Sequence, residues 1–87
     1  MAQHIWIKIF NFNWKEISTN FNFAEVYNCY NGNNKFKYIN MINPYWDTFF
    51  EWHILNWLIQ ELSQIDLNNE DMILNFKNAR SVLFIWD

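Results

Sequence analysis

The chain has 87 residues, a length that predicts one domain spanning 1–87 and leaves no room for a second. Aromatic residues make up 22% of it, and its single Gly and single Pro argue against linkers and low-complexity disorder. The net charge of −3 divides into about +2 over residues 1–43 and about −5 over residues 44–87, so the second half repels phosphate and attracts a basic partner.

The cysteine content and the hydropathy pattern predict a soluble protein of a reducing compartment. Cys29 is the sole cysteine, so an internal disulfide is excluded. The first residues lack a basic segment followed by an apolar run, so no signal peptide is expected. The longest apolar stretch, 49–59, is interrupted by Glu51, His53 and Asn56 and is too short to span a bilayer. We therefore expect a cytoplasmic protein that does not use a membrane.

The first predicted element is a strand over residues 5–12, which are rich in Ile and aromatic residues. Ile5, Ile7 and Ile9 fall on one side of it, and Trp6 and Phe10 fall on the other. A strand that is apolar on both sides is normally central and covered on each side. The polar residues that follow, 13–20, predict a loop or a single helical turn.

A β-hairpin is predicted next, with strands over 21–30 and 35–42. The first of these segments alternates apolar and polar residues, and Asn31-Gly32 follows it. Gly32 lies where a tight hairpin turn requires a positive φ. Phe36, Tyr38 and Ile42 are then expected to point inward from the return strand.

Two helices and a closing strand complete the predicted fold. Asn43-Pro44 is typical of a helix start and predicts a long helix over 44–64. Residues 68–71 begin a short helix that ends near 78, and residues 81–86 form an interior strand. The order β-β-β-α-α-β indicates an α+β fold, a four-stranded and mainly antiparallel sheet with one long and one short helix packed on it.

The apolar side of the predicted helix 44–64 changes direction halfway along. Leucines and isoleucines from 54 to 62 share one side, whereas Trp46, Phe49, Phe50, His53 and Trp57 share nearly the opposite side. Three explanations remain open. The helix breaks near His53, or the rest of the chain encloses its first half, or the aromatic stripe stays exposed and meets a partner.

The sequence lacks the motifs of catalytic and metal chemistry. Asp47 and Glu51 are one helical turn apart, a spacing more typical of a solvated helix face than of an acid/base pair. With His53 they do not form a metal-binding pattern. Gly32 is the only glycine, so a Gly-rich phosphate-binding loop is excluded. We expect no enzyme, no cofactor and no metal.

The favoured functional hypothesis is a small acidic protein-binding module of the immunity, antitoxin or phage-encoded inhibitor type. Aromatic anchors would enter a basic partner, such as a nuclease, while carboxylates pair with its Lys and Arg side chains. The predicted partner-binding residues are Trp46, Asp47, Phe50, Glu51, Trp57, Asp66, Glu70 and Asp71.

Two alternatives remain. In the first, the chain forms a homodimer or an assembly subunit through a self-complementary aromatic helix face. In the second, it binds single-stranded nucleic acid by stacking bases on aromatic rings beside lysines. The residues for that second alternative are Lys8, Lys15, Lys35 and Lys37 with Trp6, Trp14, Phe36 and Tyr38. Four lysines on a chain of net charge −3 make nucleic acid the weaker alternative.

Overall fold

The computed structural model describes residues 4–43, 45–65 and 67–86. Its elements are β1 (Ile5–Phe10), β2 (Glu16–Asn22), α1 (Ala24–Tyr30), a 3-10 turn (Ile39–Met41), β3 (Thr48–Glu51), α2 (Trp52–Leu62), α3 (Glu70–Lys77) and β4 (Ser81–Trp86). The strands form one sheet in the order β2-β1-β4-β3, and each neighbouring pair is antiparallel. The predicted α+β fold with a four-stranded antiparallel sheet is confirmed.

The helices of the described ranges are all too short or too polar to cross a membrane. They pack on one side of the sheet, where the buried side chains form a single cluster. Phe84 of β4 lies at its centre, and its ring centroid is 4.9 Å from Phe23, 5.5 Å from Phe50 and 6.1 Å from Phe76. Helices before and after β3 therefore reach the same strand of the sheet.

β1 and β4 are the two interior strands, as the sequence predicts. Ile7 pairs with Phe84 and Ile9 pairs with Val82, and these four side chains are buried beneath the helices. The further expectation that β1 is covered on both sides is wrong. Its other side carries Trp6, which is 38% exposed, so the helical layer covers only one side of the sheet.

The hairpin of this protein joins β1 to β2, not 21–30 to 35–42. Asn11 closes the connecting turn, because its Oδ1 accepts hydrogen bonds from the backbone N–H groups of Asn13 and Lys15, each at 2.9 Å. The prediction of a loop or a single helical turn over 13–20 holds for residues 13–15 but is wrong from Glu16 onward, because Ile17 of β2 pairs with Ile9 of β1. β2 is an edge strand, and an edge strand exposed to solvent can be polar.

Residues 24–30 form α1 rather than a strand. Phe23, Val26 and Tyr27 are buried, and this spacing of three and four is helical. Asn22 sets the start of the helix, because its Oδ1 accepts the backbone N–H of Ala24 at 3.0 Å. The alternation that suggested a strand is broken at 25 by a glutamate, and the helical period fits the apolar residues better.

Residues 35–42 also differ from the predicted strand. Phe36, Ile39 and Ile42 are buried at intervals of three, which is the spacing of a 3-10 helix. Ile39 is the first residue of the 3-10 turn. The turn is held by Glu61 of α2, whose carboxylate accepts the backbone N–H of Ile39 at 2.9 Å. Gly32 has the expected positive φ of 87°, but the turn it forms leads out of a helix.

The predicted helix 44–64 is a strand followed by a shorter helix. Phe49 points outward and Phe50 inward from β3, and α2 begins at Trp52. The apolar side shifts because the chain changes from strand to helix, so the explanation of a break near His53 is the closest of the three. Asn43 is not the N-cap, since its Oδ1 accepts the N–H of Tyr45 in a local turn at 2.8 Å. Pro44 lies outside the described residues.

The short helix is confirmed. α3 runs from Glu70 to Lys77, and Met72 and Phe76 are buried as predicted. Ile73 is partly buried and packs against the core. Acidic residues in the first turn and Lys77 in the last turn complement the helix dipole.

Candidate functional site: the open face of the sheet

The side of the sheet that faces away from the helices carries exposed apolar side chains. Side chains alternate between the two sides of a strand, and those on this side form what we call the open face. Its members are Trp6, Lys8 and Phe10 of β1, Glu16 and Ser18 of β2, Phe49 and Glu51 of β3, and Leu83 and Ile85 of β4. Ser81 of β4 lies on the same side but is fully buried.

The apolar part of the open face is centred on β4. Trp6 lies beside Ile85, and Leu83 lies between Lys8 and Phe49. Trp6 is 38% exposed and Phe49 is 44% exposed. Beyond the end of β1, the His4 ring stacks on Trp6 with a centroid distance of 4.8 Å. Apolar side chains therefore form a continuous surface over three of the four strands.

One end of the open face is built from a group that we call the Trp14 cluster, made up of Phe10, Trp14, Phe49, Glu51 and Arg80. The Phe10 ring lies 6.4 Å from Trp14 and 6.3 Å from Phe49. The Arg80 guanidinium carbon lies 4.2 Å from the centre of the Trp14 ring, a cation–π geometry. The rings and the guanidinium thus hold one another in place.

The backbone of Trp14 is strained. Its φ is 60°, a left-handed conformation that is unusual for a bulky residue and costs about 1–2 kcal/mol. The turn closed by Asn11 imposes it, since the Trp14 N–H donates to the Asn11 backbone oxygen at 2.9 Å. A glycine or asparagine would fit this backbone better, yet the residue is a tryptophan that leaves 55% of its surface exposed.

The charges of the open face are paired within it. Arg80 Nη1 donates to Glu51 Oε2 at 2.6 Å and to Ser81 Oγ at 3.0 Å. Lys8 Nζ lies 3.7 Å from Glu16 Oε1. The charged strand side chains among the described residues of this face, together with Arg80, are therefore two cations and two anions, and the face is electrically neutral.

The predicted aromatic anchors lie on three different elements. Phe50 is 2% exposed and belongs to the core, so its prediction as a partner anchor is wrong, because the strand conformation of β3 turns it inward. Trp46 is exposed in the loop before β3. Trp57 is exposed on α2, where its ring stacks on Tyr38 at a centroid distance of 6.3 Å. The expected single aromatic stripe does not form.

The predicted carboxylates are also dispersed. Asp47 is exposed beside Trp46, and Glu70 and Asp71 are exposed in the first turn of α3. Glu51 lies on the open face, where Arg80 neutralises it. Asp66 lies outside the described residues.

The residues considered for nucleic acid divide between the two sides of the fold. Trp6 and Lys8 lie on the open face, and Trp14 lies at its end. Phe36 is buried on the helical side, with the ammonium group of Lys35 5.9 Å from its ring centre. One binding surface that combines all eight residues is therefore not formed.

One further candidate site among the described residues is a small cavity. A cavity of about 140 Å³ is lined by Phe21, Asn68, Asn69, Asp71 and Met72. Within the ranges that the structure describes, no group of three or more His, Cys, Asp and Glu side chains is arranged to hold a metal ion. Cys29 is exposed and unpaired with another cysteine.

Sequence analysis missed Arg80 and Phe49 as members of one surface with Trp14. A signal for the surface was available, because β1 and β4 carry apolar residues on both sides. Their pairing with each other could not be read from the pattern. No protein-family model, curated protein sequence or solved structure matches this chain.

Proposed function

We propose that this chain is a protein-binding module and that the open face is its docking surface. The observation that carries the proposal is Trp14, an exposed aromatic ring kept on a strained backbone and braced by Arg80. Strained residues that persist in a fold cluster at functional sites. Trp and Arg are also the residues that most often dominate binding energy at interfaces.

The size of the exposed apolar surface agrees with this proposal. The exposed fractions of Trp6, Trp14 and Phe49 are 38%, 55% and 44%, which together amount to about 300 Å² of aromatic surface. Patches of about 300–600 Å² are the largest that typical monomers expose, and they are often functional. Rings that are already held by neighbours also lose little side-chain entropy on binding.

The charges of the open face favour an uncharged partner. Arg80 and Lys8 each already have a carboxylate partner within the face, at 2.6 Å and 3.7 Å. A nucleic acid would have to displace those carboxylates before its phosphates could pair with the cations. A basic protein would meet carboxylates that are already neutralised. The surface therefore fits an apolar and uncharged protein surface best.

The hypothesis of an acidic inhibitor of a basic partner has less support. It requires carboxylates and aromatic anchors that converge on one surface. Asp47, Glu70 and Asp71 are exposed on separate elements, and Phe50 is in the core. An inhibitor that binds through the open face is compatible with this proposal. Its contact would be made by aromatic rings instead of carboxylates.

Site-specific photo-crosslinking in cells tests the proposal. We expect a photoreactive phenylalanine analogue at Phe49, on the open face, to give a discrete protein adduct. The same analogue at Leu74, which is 59% exposed on α3, is the matched control and should give none. Adding Trp14→Asn to the Phe49 derivative should abolish the adduct. The proposal fails if both positions give the same adducts or if the Phe49 derivative gives none.

A further inference from the structure

Resting on the proposed function, we infer that the protein surface which covers the open face is the open face of a second copy of this chain. The two copies pack sheet against sheet about a twofold axis, with their helices outermost. Two observations carry this inference: the neutrality of the face and its distribution of large and small side chains. The area of the face then sets the expected strength of the dimer.

Neutrality favours contact between two identical faces. The open face pairs Lys8 with Glu16 and Arg80 with Glu51, so two copies meet without net repulsion there. Exposed Glu70 and Asp71 lie in the first turn of α3, on the helical side of the sheet. Self-association through the helical side would bring these like charges together, whereas contact through the open face keeps them at the outside of the dimer.

The relief of the open face suits a self-complementary contact. Large rings lie beside smaller side chains on neighbouring strands: Trp6 beside Ile85, and Phe49 beside Leu83. Two sheets that pack face to face lie about 10 Å apart, and their side chains interdigitate. In a twofold contact the same patch serves both copies, so the rings of each can pack over the smaller side chains of the other.

The area of the face indicates the strength of the dimer. Four strands about 4.8 Å apart and about 20 Å long offer about 400 Å² in projection, and more once the side chains are included. Stable interfaces bury about 800 Å² on each partner. The open face therefore offers less area than a stable interface buries. We expect a weak dimer with a dissociation constant of about 1–100 μM.

Analytical ultracentrifugation between about 1 and 200 μM measures the association of the whole chain. We expect the mass to rise from 10.8 kDa for the single chain to twice that value. Trp14→Asn and Phe49→Thr should each raise the dissociation constant at least tenfold, because each removes an exposed ring from the face. Leu74→Asn makes a similar apolar-to-polar change on α3, so it should leave the constant unchanged.

Two features protect this test against misfolded variants. Asn is well tolerated at positive φ, and Thr preserves strand propensity in β3, so both variants should retain the far-ultraviolet circular dichroism of the parent.

Raising NaCl from about 50 to 500 mM should not weaken the dimer, because the contact is apolar and neutral. A dimer that dissociates in salt would overturn the inference, since it would depend on ionic contacts.

The remaining outcomes separate this inference from the proposed function. A monomer at about 200 μM that still gives a Phe49 adduct with a different protein overturns self-association and leaves the docking surface in place. A monomer without any adduct overturns both. A dimer that Leu74→Asn weakens as much as Trp14→Asn overturns the assignment of the contact to the open face.

Discussion

Replacing Glu61 tests how the buried carboxylate of α2 holds the segment before β3. Glu61 is 8% exposed. Its Oε1 accepts the backbone N–H groups of Tyr38 at 3.0 Å and Ile39 at 2.9 Å, and its Oε2 lies 3.0 Å from the same Tyr38 nitrogen. These two N–H groups begin the 3-10 turn, which carries Ile39 into the core. The carboxylate therefore joins two parts of the fold that are distant in sequence.

The magnitude follows from the two N–H groups. A hydrogen bond to a charged group contributes about 1.5–3 kcal/mol, and a buried donor left without a partner is costly. We expect Glu61→Ala to lower the free energy of unfolding by about 3–5 kcal/mol. Glu61→Gln retains the shape and one acceptor oxygen, so we expect a loss of about 1–2 kcal/mol. A domain of this size has about 4–13 kcal/mol in total, so the alanine variant loses a large share of its stability.

Urea unfolding at pH 7, followed by tryptophan fluorescence and extrapolated linearly to water, measures these differences. Glu70→Gln is the matched control, since Glu70 is exposed in the first turn of α3, and its effect should stay within about 0.5 kcal/mol. If Glu61→Ala also changes stability by less than about 1 kcal/mol, the Tyr38 and Ile39 N–H groups have other acceptors and the reasoning is refuted.

Two further predictions concern backbone conformation and alkaline pH. Gly32 has φ 87° and no atom within 4 Å of the position that a Cβ would take, so Gly32→Ala should lower the free energy of unfolding by about 1–2 kcal/mol through the backbone alone. Gly32→Asn should lower it less in the same urea assay. Equal losses of stability for the two variants would contradict this explanation. Burial raises the pKa of Tyr27 above 10.0, and the nearby Tyr45 raises it further. The stability that depends on the neutral Tyr27 phenol is complete below pH 10.0 and is lost as the pH rises through the folded-state value. Urea unfolding from about pH 9 to 11 should therefore show a smaller loss of stability for Tyr27→Phe than for the parent, and parallel curves would contradict the assignment.

Elements with a clear local pattern could be predicted from the sequence. β4 was predicted over the residues that form it, and α3 has the predicted start and the predicted buried residues Met72 and Phe76. β1 was also correctly assigned as an interior strand. β1 and β4 are runs rich in β-branched and aromatic residues, and α3 combines an acidic first turn with apolar residues at helical spacing, so local physics suffices.

The errors occurred where distant contacts decide the conformation. The segment before β3 forms a 3-10 turn because Glu61, more than twenty residues later, accepts its N–H groups. β2 is a strand because β1 offers it an edge, although its own residues are mostly polar. The long predicted helix was wrong because β3 pairs with β4, which follows it by about thirty residues. None of these partners can be identified from the segment itself.

The sequence by itself determined the fold class, the interior strands and the short acidic helix, since periodicity and charge act over neighbouring residues. Only the tertiary structure decided that the helices cover one side of the sheet and that Trp14, Phe49 and Arg80 meet on the other. The physical reason is that an apolar strand has the same sequence pattern whether its second side is covered by its own chain or left exposed. Placement of the helices distinguishes the two cases, and that placement depends on contacts between residues far apart in the chain.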